Sequence, residues 1–293
     1  MSADSQGSAL ELPRDIVAVV HSALAEDVGD GDITARLIGA EARANAVVVC
    51  RERAILCGTA WFQRAFTELD AGCSVAWKRN DAEWLDPGDI VCELEGRARA
   101  LLTGERTALN FLQTLSGSAT ATRRYAEVLS GTDVVLLDTR KTIPGLRSAQ
   151  KYAVLCGGGN NHRMGLFDGI LIKENHIEAA GSIARAVARM RSQFADIPIE
   201  VEVESIPELE QAIAAGADIV LLDNFPIDTL RDAVRATGGR AKLEASGGFE
   251  LDAIRAVAET GIDFISVGAL TKHLTAIDFS MRFGSRGDSL ESE

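Results

Sequence analysis

The sequence predicts an α/β protein in which a small antiparallel α+β unit precedes an open, incomplete β/α barrel. Residues 45–95 have a strand-like texture that is broken by turn signals such as Asp86-Pro-Gly-Asp89. Beyond residue 130, apolar strand runs alternate with amphipathic helices, which is typical of a parallel sheet covered by helices. That region holds six secure strand runs rather than eight, so we expect the barrel to stay open.

The N-terminal unit begins with a predicted helix over residues 14–26. One helical face carries its apolar residues: Ile16, Val19, Val20 and Leu24. Residues 27–34 are rich in acids and glycine like a calcium loop, but they lack the glutamate that closes such a loop. We therefore expect a structural turn there. The predicted strand runs of this unit are residues 47–50, 54–57, 73–77 and 90–94.

Residues 84–91 allow a second interpretation of the N-terminal unit. This segment resembles part of a biotinyl- or lipoyl-carrier sandwich. Such carriers present a modifiable lysine on a hairpin, whereas Lys78 lacks that setting. We therefore disfavour a carrier.

A long helix is predicted from about Thr103, its N-cap, to Leu129. Its apolar side carries Leu109, Leu112 and Leu115. Arg106 then falls in the first turn, where the positive end of the helix dipole disfavours a cation. This misplacement indicates that Arg106 binds an anion.

The predicted barrel strands are residues 134–137, 169–172, 199–203, 219–222, 242–245 and 264–267. Amphipathic helices separate them. Several of these helices are predicted to end at a left-handed glycine: Gly216, Gly238 and Gly261.

Composition excludes several classes of function. The chain has 293 residues and a formal net charge of −13, and so acidic a surface repels nucleic-acid phosphates. No apolar run approaches the roughly 18 residues that cross a bilayer, and we see no signal-peptide pattern. The five cysteines lack paired spacing, so we expect ordinary thiols, no transition-metal site and a cytoplasmic location.

One segment reverses the overall charge. Residues 138–176 contain six basic side chains against three acidic ones. The basic residues are Arg140, Lys141, Arg147, Lys151, Arg163 and Lys173. Such a local excess of positive charge predicts a focused anion site.

Polar, ionisable or glycine residues follow nearly every predicted barrel strand. The main ones are Asp138, Thr139, Arg140, Lys141, Lys173, Asp223, Ser246, Gly247, Gly248 and Gly268. The carboxyl ends of barrel strands converge on one mouth, where active sites lie. Arginine and lysine there suit phosphates and carboxylates, and glycines after the last strands expose N–H groups to a phosphate.

Two acidic residues, Glu202 and Asp223, accompany these cations. Carboxylates at such a mouth are suited to Mg²⁺ or to sugar hydroxyls. Alternatively, they only pair with Lys141 and Lys173. The residues alone leave both interpretations open.

The motifs of this mouth, taken in order, resemble those of the quinolinate phosphoribosyltransferase family. They are Asp138-Thr-Arg-Lys-Thr-Ile-Pro-Gly145, Gly157-Gly-Gly-Asn-Asn-His-Arg163, Ile172-Lys-Glu-Asn-His176, Leu221-Leu-Asp-Asn-Phe225 and Glu244-Ala-Ser-Gly-Gly248. In the N-terminal unit, residues 26–34 and the run Gly104-Glu-Arg-Thr-Ala-Leu-Asn110 also match the family pattern. The resemblance extends from about residue 14 to residue 283.

The resemblance implies an N-terminal α/β sandwich over residues 1–117, joined by the tail of residues 275–293, and an open α/β barrel over residues 118–274. It implies a reaction of quinolinate with phosphoribosyl pyrophosphate and Mg²⁺. The products are nicotinate mononucleotide, pyrophosphate and CO₂, in NAD synthesis. No covalent enzyme nucleophile is required.

The resemblance also implies a role for each site residue. Quinolinate would be bound by Arg106, Arg140, His162, Arg163 and Lys173, with Lys141 near both substrates and Thr139 beside them. Glu202 and Asp223 would be the acids on the ribose and metal side, and Ser246, Gly247, Gly248 and Gly268 the 5′-phosphate cradle. Arg106 would reach the site of a neighbouring subunit, which implies a homodimer or a hexamer built from dimers.

Two alternatives to this activity stay open. One is a related phosphoribosyltransferase with another acceptor, such as nicotinate, although a dicarboxylate needs more cationic ligands than a monocarboxylate. The other is a binding protein without catalytic activity, which loss of motif residues would have supported. We find essentially no such loss.

Overall fold

A computed structural model describes residues 10–284 of the chain. Contacts divide the chain into two compact units. Among the described residues, the first comprises residues 10–121, 144–158 and 274–284, and the second comprises residues 122–143 and 159–273. The domain boundaries given above stay a prediction.

The described residues form strands and helices in the following order. The strands are β1 (Arg43–Cys50), β2 (Ala54–Ile55), β3 (Ser74–Trp77), β4 (Trp84–Leu85), β5 (Ile90–Arg97), β6 (Val135–Leu137), β7 (Ile170–Ile172), β8 (Ile199–Val203), β9 (Ile219–Asp223), β10 (Lys242–Ser246), β11 (Phe264–Ser266) and β12 (Phe279–Gly284). The helices are α1 (Ile16–Val28), α2 (Thr59–Leu69), α3 (Ala98–Val128), α4 (Arg147–Cys156), α5 (Glu174–Ala180), α6 (Ile183–Gln193), α7 (Ile206–Ala214), α8 (Ile227–Thr237), α9 (Ile254–Ala258) and α10 (Ala269–Lys272). No helix of the described residues is both long enough and apolar enough to cross a membrane.

The first unit contains an antiparallel sheet with the strand order β12-β1-β5-β3. Its last strand comes from the tail, with Phe279 paired to Cys50 and Gly284 paired to Asn45. Helix α2 buries Trp61, Phe62 and Phe66 completely in the core of this unit. Each buried aromatic of this size contributes about 2–3 kcal/mol of stability. All five cysteines are free and buried.

Helix α3 begins at Ala98, so the predicted start at Thr103 is wrong. Residues 98–102 (Ala-Arg-Ala-Leu-Leu) are strong helix formers and continue the chain directly from β5. The Thr103 hydroxyl does not cap the helix but donates to Asp32 Oδ2 at 2.9 Å. Arg106 therefore lies inside the helix, and the argument from the helix dipole fails.

Residues 29–33 connect α1 to a short 3₁₀ helix, Thr34–Leu37. Asp32 Oδ1 accepts the N–H of Ala35, in the first turn of this helix, at 2.9 Å. The same carboxylate accepts the Thr103 hydroxyl, so it joins this turn to α3 within the first unit.

The second unit contains a parallel sheet with the strand order β6-β11-β10-β9-β8-β7. All six predicted barrel strands are present in it, which confirms the predicted fold class. The two edges are β6 and β7, and among the described residues they do not pair with each other, so the barrel is open. Gly238 ends α8 in the predicted left-handed conformation, with φ 55°.

The register of this sheet separates polar from apolar side chains. Glu202 is level with Leu221 and Glu244, and Asp223 is level with Ser246 and Ser266. Because side chains alternate between the faces of a strand, these residues share one face. The alternate positions hold buried apolar residues: Val201, Val203, Val220, Leu222, Leu243, Ala245 and Ile265. The sheet therefore packs its helices on one side and presents ionisable groups on the other.

The loop of residues 159–163 contacts the chain at both edges of the sheet. Asn160 forms a parallel bridge with Leu137 of β6. Arg163 Nη1 donates to the carbonyl of Gly169, the residue before β7, at 3.2 Å. The loop thus lies across the opening of the barrel and holds His162 and Arg163 beside the polar face.

Candidate active site

A cavity of about 170 Å³ lies at the carboxyl ends of the parallel strands. Its walls are formed by Thr139, Arg140, Lys141, His162, Arg163, Leu171, Lys173, Glu202, Leu221, Glu244, Ser246 and Ser266. Eight of these residues are among the predicted site residues. Five predicted residues do not line it: Asp223, Gly247, Gly248, Gly268 and Arg106.

The end of β6 is tied to the loop of residues 159–163. Asp138 is fully buried, and its Oδ1 accepts the N–H of His162 at 2.9 Å. The N–H of Asp138 donates to the carbonyl of Asn160 at 3.0 Å. A buried carboxylate that accepts backbone N–H groups is a strong anchor. It brings Arg140 and Lys141, which follow β6, to the same cavity as His162 and Arg163.

Lys141 is positioned by three neighbours within the second unit. Its N–H donates to Thr139 Oγ1 at 3.0 Å, and its carbonyl accepts the Thr271 hydroxyl at 2.8 Å. A Cβ on Gly268 would lie 3.1 Å from Lys141 Cδ and 3.6 Å from Thr139 Oγ1. Gly268 therefore leaves the room that the lysine side chain occupies, although it does not line the cavity itself.

Arg140 and Arg163 bring two like charges to the cavity. Burial lowers the pKa of Arg163, and the neighbouring Arg140 lowers it further. A Cβ on Gly169 would lie 3.0 Å from Arg163 Cβ, so this glycine also makes room for the arginine. The two guanidinium groups repel each other, and an anion bound between them would relieve the repulsion.

Lys173 pairs with Glu202 across the ends of β7 and β8. The ammonium is part-exposed, whereas the carboxylate is largely buried. The alternative that Glu202 pairs with a lysine therefore holds for Lys173 in this structure. Since the lysine also lines the cavity, an anionic substrate can accept a hydrogen bond from the same ammonium.

His162 lies against two buried glutamates. Its Nε2 is 3.1 Å from Glu200 Oε2 and 3.5 Å from Glu244 Oε2. Burial acts to lower the pKa of His162, but these two contacts outweigh burial and raise the pKa to about 10. Burial in turn raises the pKa of Glu200, and its contact with His162 only partly offsets this.

The second ring nitrogen of His162 limits its protonation. His162 Nδ1 accepts the N–H of Arg163 at 2.7 Å. A proton on Nδ1 would face that N–H, so the cation that the carboxylates favour can form only if the amide moves away. The two carboxylates therefore favour the imidazolium cation, whereas the Arg163 amide opposes it.

Asn224 links Asp223 to the chain around Gly247 at the neighbouring ends of β9 and β10. Asn224 Nδ2 donates to Asp223 Oδ2 at 3.0 Å, and the N–H of Asn224 donates to the carbonyl of Ser246 at 2.8 Å. A Cβ on Gly247 would lie 3.0 Å from Asn224 Oδ1, so glycine permits this close approach. Gly248 faces open space.

Arg106 belongs to the first unit, where it is exposed on α3. The cavity residues all lie in the second unit, so the proposed role of Arg106 at the site stays a prediction.

Four cavity residues were not among the predicted site residues: Leu171, Leu221, Glu244 and Ser266. Glu244 and Ser246 are two residues apart on β10, so their alternation could have placed both on the polar face. Ser266 is level with Ser246 on the next strand, but that pairing is visible only from the register of the sheet.

The cavity as a whole favours an anionic ligand. Arg140, Lys141, Arg163 and Lys173 line it, against Glu202 and Glu244. Guanidinium and ammonium groups at the ends of several strands suit a compound with more than one carboxylate or phosphate.

Comparison with known protein families agrees with this chemistry. The family model for the quinolinate phosphoribosyl transferase N-terminal domain matches residues 32–116, and that for the C-terminal domain matches residues 118–282. The chain belongs to the quinolinate phosphoribosyltransferase family.

Individual members of the family match nearly the whole chain. A probable nicotinate-nucleotide pyrophosphorylase (carboxylating) of Bacillus subtilis is 43% identical over 267 residues, which is 91% of this chain and 92% of the relative. The chloroplastic nicotinate-nucleotide pyrophosphorylase of Arabidopsis thaliana is 37% identical over 92% of this chain and 82% of its own length. The structure of the nicotinate-nucleotide pyrophosphorylase from Francisella tularensis is similar with a TM-score of 0.90 and 47% identity. It covers 95% of this chain and 100% of its own.

Proposed function

We propose that this family member transfers the phosphoribosyl group of phosphoribosyl pyrophosphate to quinolinate and releases CO₂. The products are nicotinate mononucleotide and pyrophosphate, and the reaction belongs to NAD synthesis. The observation that carries the proposal is the single cavity into which Arg140, Lys141, Arg163 and Lys173 converge at the strand ends. The family to which the chain belongs supports quinolinate as the substrate of this cationic cavity.

Quinolinate has two neighbouring carboxylates and a ring nitrogen. Arg140 and Arg163 lie close enough to affect each other, and together they can bind the two carboxylates. Lys173 adds a third cation from the opposite edge strand, β7. A monocarboxylate such as nicotinate would leave part of this positive charge without a partner, which disfavours it as acceptor.

The phosphoribosyl side of the substrate lies, in this proposal, at the ends of β9, β10 and β11. Ser246 lines the cavity, and Gly247, Gly248 and Gly268 follow in the same region of the chain. Backbone N–H groups of glycine-rich strand ends suit the 5′-phosphate. Thr139 and Lys141, packed beside Gly268, reach both the phosphate side and the acceptor side.

The donor set at β8 and β9 fits Mg²⁺. Glu202 and Asp223 supply carboxylate oxygens from neighbouring strands and from the same face of the sheet, and such hard donors are the ones this ion prefers. Mg²⁺ bound there would offset the charge of the pyrophosphate.

The residues of the chain act mainly by position and charge. Arg140, Arg163 and Lys173 orient quinolinate so that its nitrogen attacks the anomeric carbon of the ribose while pyrophosphate leaves. Positive charge develops on the ribose ring, and the Glu202 and Asp223 carboxylates stabilise it. The positively charged, ribosylated ring nitrogen then stabilises the electron pair that the breaking C–C bond leaves on the neighbouring ring carbon. The carboxylate departs as CO₂, and that carbon takes up a proton from water. Lys141 offsets negative charge on the substrates.

The family resemblance supports a further part of the proposal, an assembly in which sites are shared. Arg106 of one copy would bind quinolinate in the cavity of its partner, in a homodimer or in a hexamer of such dimers. Its exposure on α3 leaves its guanidinium accessible for this purpose. We propose the cytoplasm as the location, which suits the five free cysteines.

The test is an assay with quinolinate, phosphoribosyl pyrophosphate and Mg²⁺ in which CO₂ and nicotinate mononucleotide are followed together. We expect equal amounts of both products, and none when nicotinate replaces quinolinate. Product from nicotinate, or no product from either acceptor, would contradict the proposal and point to a relative with another acceptor.

A further inference from the structure

We infer that the turn of residues 164–168 docks into a groove on a second copy of this chain. Leu166 and Phe167 form the apolar tip of this turn, and the groove lies between α1 and α3 of the other copy. The inference deepens the proposed function and rests on its shared site, because it names the surfaces that hold the two copies together.

The first step is the construction of the turn. Leu166 and Phe167 are 73% and 81% exposed. The two carboxylate oxygens of Asp168 hold the turn, since they accept the N–H groups of Met164 and Gly165 at 2.7 Å and 2.9 Å. A Cβ on Gly165 would collide with the Phe167 ring, so glycine makes room for that ring. A turn fixed in this way presents two large apolar side chains to solvent, which is typical of an interaction site.

The surroundings of the turn are apolar and basic. The two exposed side chains line a hollow of about 550 Å³ together with Met190 and Phe194, so they belong to one continuous apolar patch. The arginines that line the same hollow are Arg163 and Arg189, and no acidic residue lines it in the described part of the chain. The partner of this patch should therefore combine an apolar surface with negative charge.

The second step is the groove, a hollow of about 600 Å³ within the first unit. Its apolar lining comes from α1, from α3 and from the loop before α4: Ala18, Val19, Ala23, Phe111, Leu115 and Leu146. Its charged lining residues are Glu26 and Asp27, both exposed, and among the described residues no basic one lines it. The groove thus has the apolar surface and the negative charge that the turn requires of its partner.

The third step is the position of both surfaces next to the shared site. Thr107 lines the groove and directly follows Arg106, the residue proposed to enter the partner's cavity. Arg163 lines both that cavity and the hollow beside the turn. A copy that places Arg106 in the cavity of its partner therefore brings its own groove towards the partner's turn. Under twofold symmetry the same contact forms twice, which closes the assembly as a dimer.

The first experiment links the two surfaces by a disulfide in the full-length protein. Phe167→Cys and Ser22→Cys, an exposed residue of the groove, are placed on separate chains that carry different tags and are co-expressed. Diamide takes up two electrons and two protons from the two new thiols, while the five native thiols are buried. We expect most of the co-purified chains to form a covalent pair on a non-reducing gel. Arg235→Cys, on the exposed side of α8, replaces Phe167→Cys in the control and should give no such pair.

The second experiment measures the strength of the dimer by analytical ultracentrifugation without substrates. Phe167→Ser removes the aromatic side chain of the tip, and loss of such an anchor weakens an interface about 30-fold or more. We expect the dissociation constant of the dimer to rise by at least this factor, with an unchanged circular dichroism spectrum. The control is Phe283→Ser on β12, where the ring is 40% exposed, and its dissociation constant should equal that of the wild type.

The outcomes separate the docking from the proposed reaction, because neither experiment involves a substrate. A wild-type protein that stays monomeric, a tagged pair that does not crosslink, or a folded Phe167→Ser that dimerises as tightly as the wild type overturns the inference. If Phe167→Ser does not fold, the crosslink alone decides. If both experiments give the expected results and the wild-type protein does not convert quinolinate, the proposed reaction fails and the docking stands.

Discussion

Lys173 and Glu202 form an ion pair across the carboxyl ends of β7 and β8, at the wall of the cationic cavity. The pair joins a residue proposed to bind quinolinate to one proposed to face the ribose and Mg²⁺. In the proposed reaction, the quinolinate side and the ribose side therefore share this one ion pair. Binding of either substrate would change the charges that surround the other substrate.

Lys173→Gln tests the acceptor side of this contact. The variant loses a charge-assisted hydrogen bond to the substrate, worth about 2–3 kcal/mol, so we expect kcat/KM for quinolinate to fall about 30- to 150-fold. Steady-state kinetics with each substrate varied in turn measures this fall. The matched control is Lys242→Gln, whose ammonium pairs with Asp263 outside the cavity. Equal values of kcat/KM for the two variants would show that Lys173 does not bind quinolinate and only forms its ion pair with Glu202.

Gly268→Ala tests the packing that positions Lys141. The added Cβ would lie 3.1 Å from Lys141 Cδ and would displace the side chain. Alanine itself fits the backbone there, since φ is −67°. We therefore expect kcat to fall about tenfold with little change in the melting temperature. Gly39→Ala, where a Cβ meets nothing within 4 Å, is the control. Unchanged turnover in Gly268→Ala would mean that Lys141 tolerates the displacement.

The barrel strands could be predicted because parallel strands that are covered by helices appear as short apolar runs. Residues 219–222, for example, form nearly the whole of β9. The start of α3 could not be predicted from capping rules, because Thr103 is an equally good cap and the hydroxyl's actual partner, Asp32, is 71 residues away in the sequence. Strands of two residues, such as β4, leave too short a pattern to detect.

The site was predictable where its residues follow strands directly, as Arg140, Lys141 and Lys173 do. It was less predictable where a side chain acts within the sheet. Glu244 lies inside β10 and contacts His162, which is 82 positions away in the sequence. Such contacts depend on register and on the path of a loop, and neither is encoded in local periodicity.

The pairing of β8 with β9 should weaken in acid through Asp218. Its Oδ2 accepts the N–H of Ile199 at 2.7 Å and a hydrogen bond from Arg191 at 2.6 Å. Burial acts to raise the pKa of Asp218, but these hydrogen bonds outweigh it and hold the pKa below its ordinary value. A lowered pKa means that the carboxylate stabilises the fold above its ordinary pKa. This contribution is lost as the pH falls through the lowered one.

Urea unfolding of the wild-type protein and of Asp218→Asn, between pH 6 and pH 3, checks whether the stabilisation by the Asp218 carboxylate is lost in acid. We expect a difference in unfolding free energy of no more than about 1 kcal/mol at pH 6, since the group is part-exposed, and a smaller difference below about pH 4. Activity at pH 7 stays unchanged because Asp218 precedes β9, at the end of the sheet opposite the cavity. Asp196→Asn, at an exposed site, is the control. A difference that grows toward pH 3 would reverse the assigned sign.

The shared site is tested by mixing two inactive variants. Arg106→Ala removes the residue proposed to enter the partner's cavity, and Arg140→Ala removes a residue of the cavity itself, so each variant alone should be inactive. In a mixed dimer, the cavity of the Arg106→Ala chain is intact and receives Arg106 from the Arg140→Ala chain. Each mixed dimer therefore has one of its two sites restored.

Activity is measured after the two variants are co-expressed with different affinity tags and the mixed species is purified. The control is a mixture of the Arg140→Ala chain with the Arg163→Ala chain. Arg140 and Arg163 each line the cavity of their own chain, so a partner subunit cannot supply the missing group. Restored activity in the first mixture alone supports a site completed by Arg106 of the partner subunit. No restoration in either mixture would mean that each chain carries its whole site, and Arg106 would then act within its own copy or not at all.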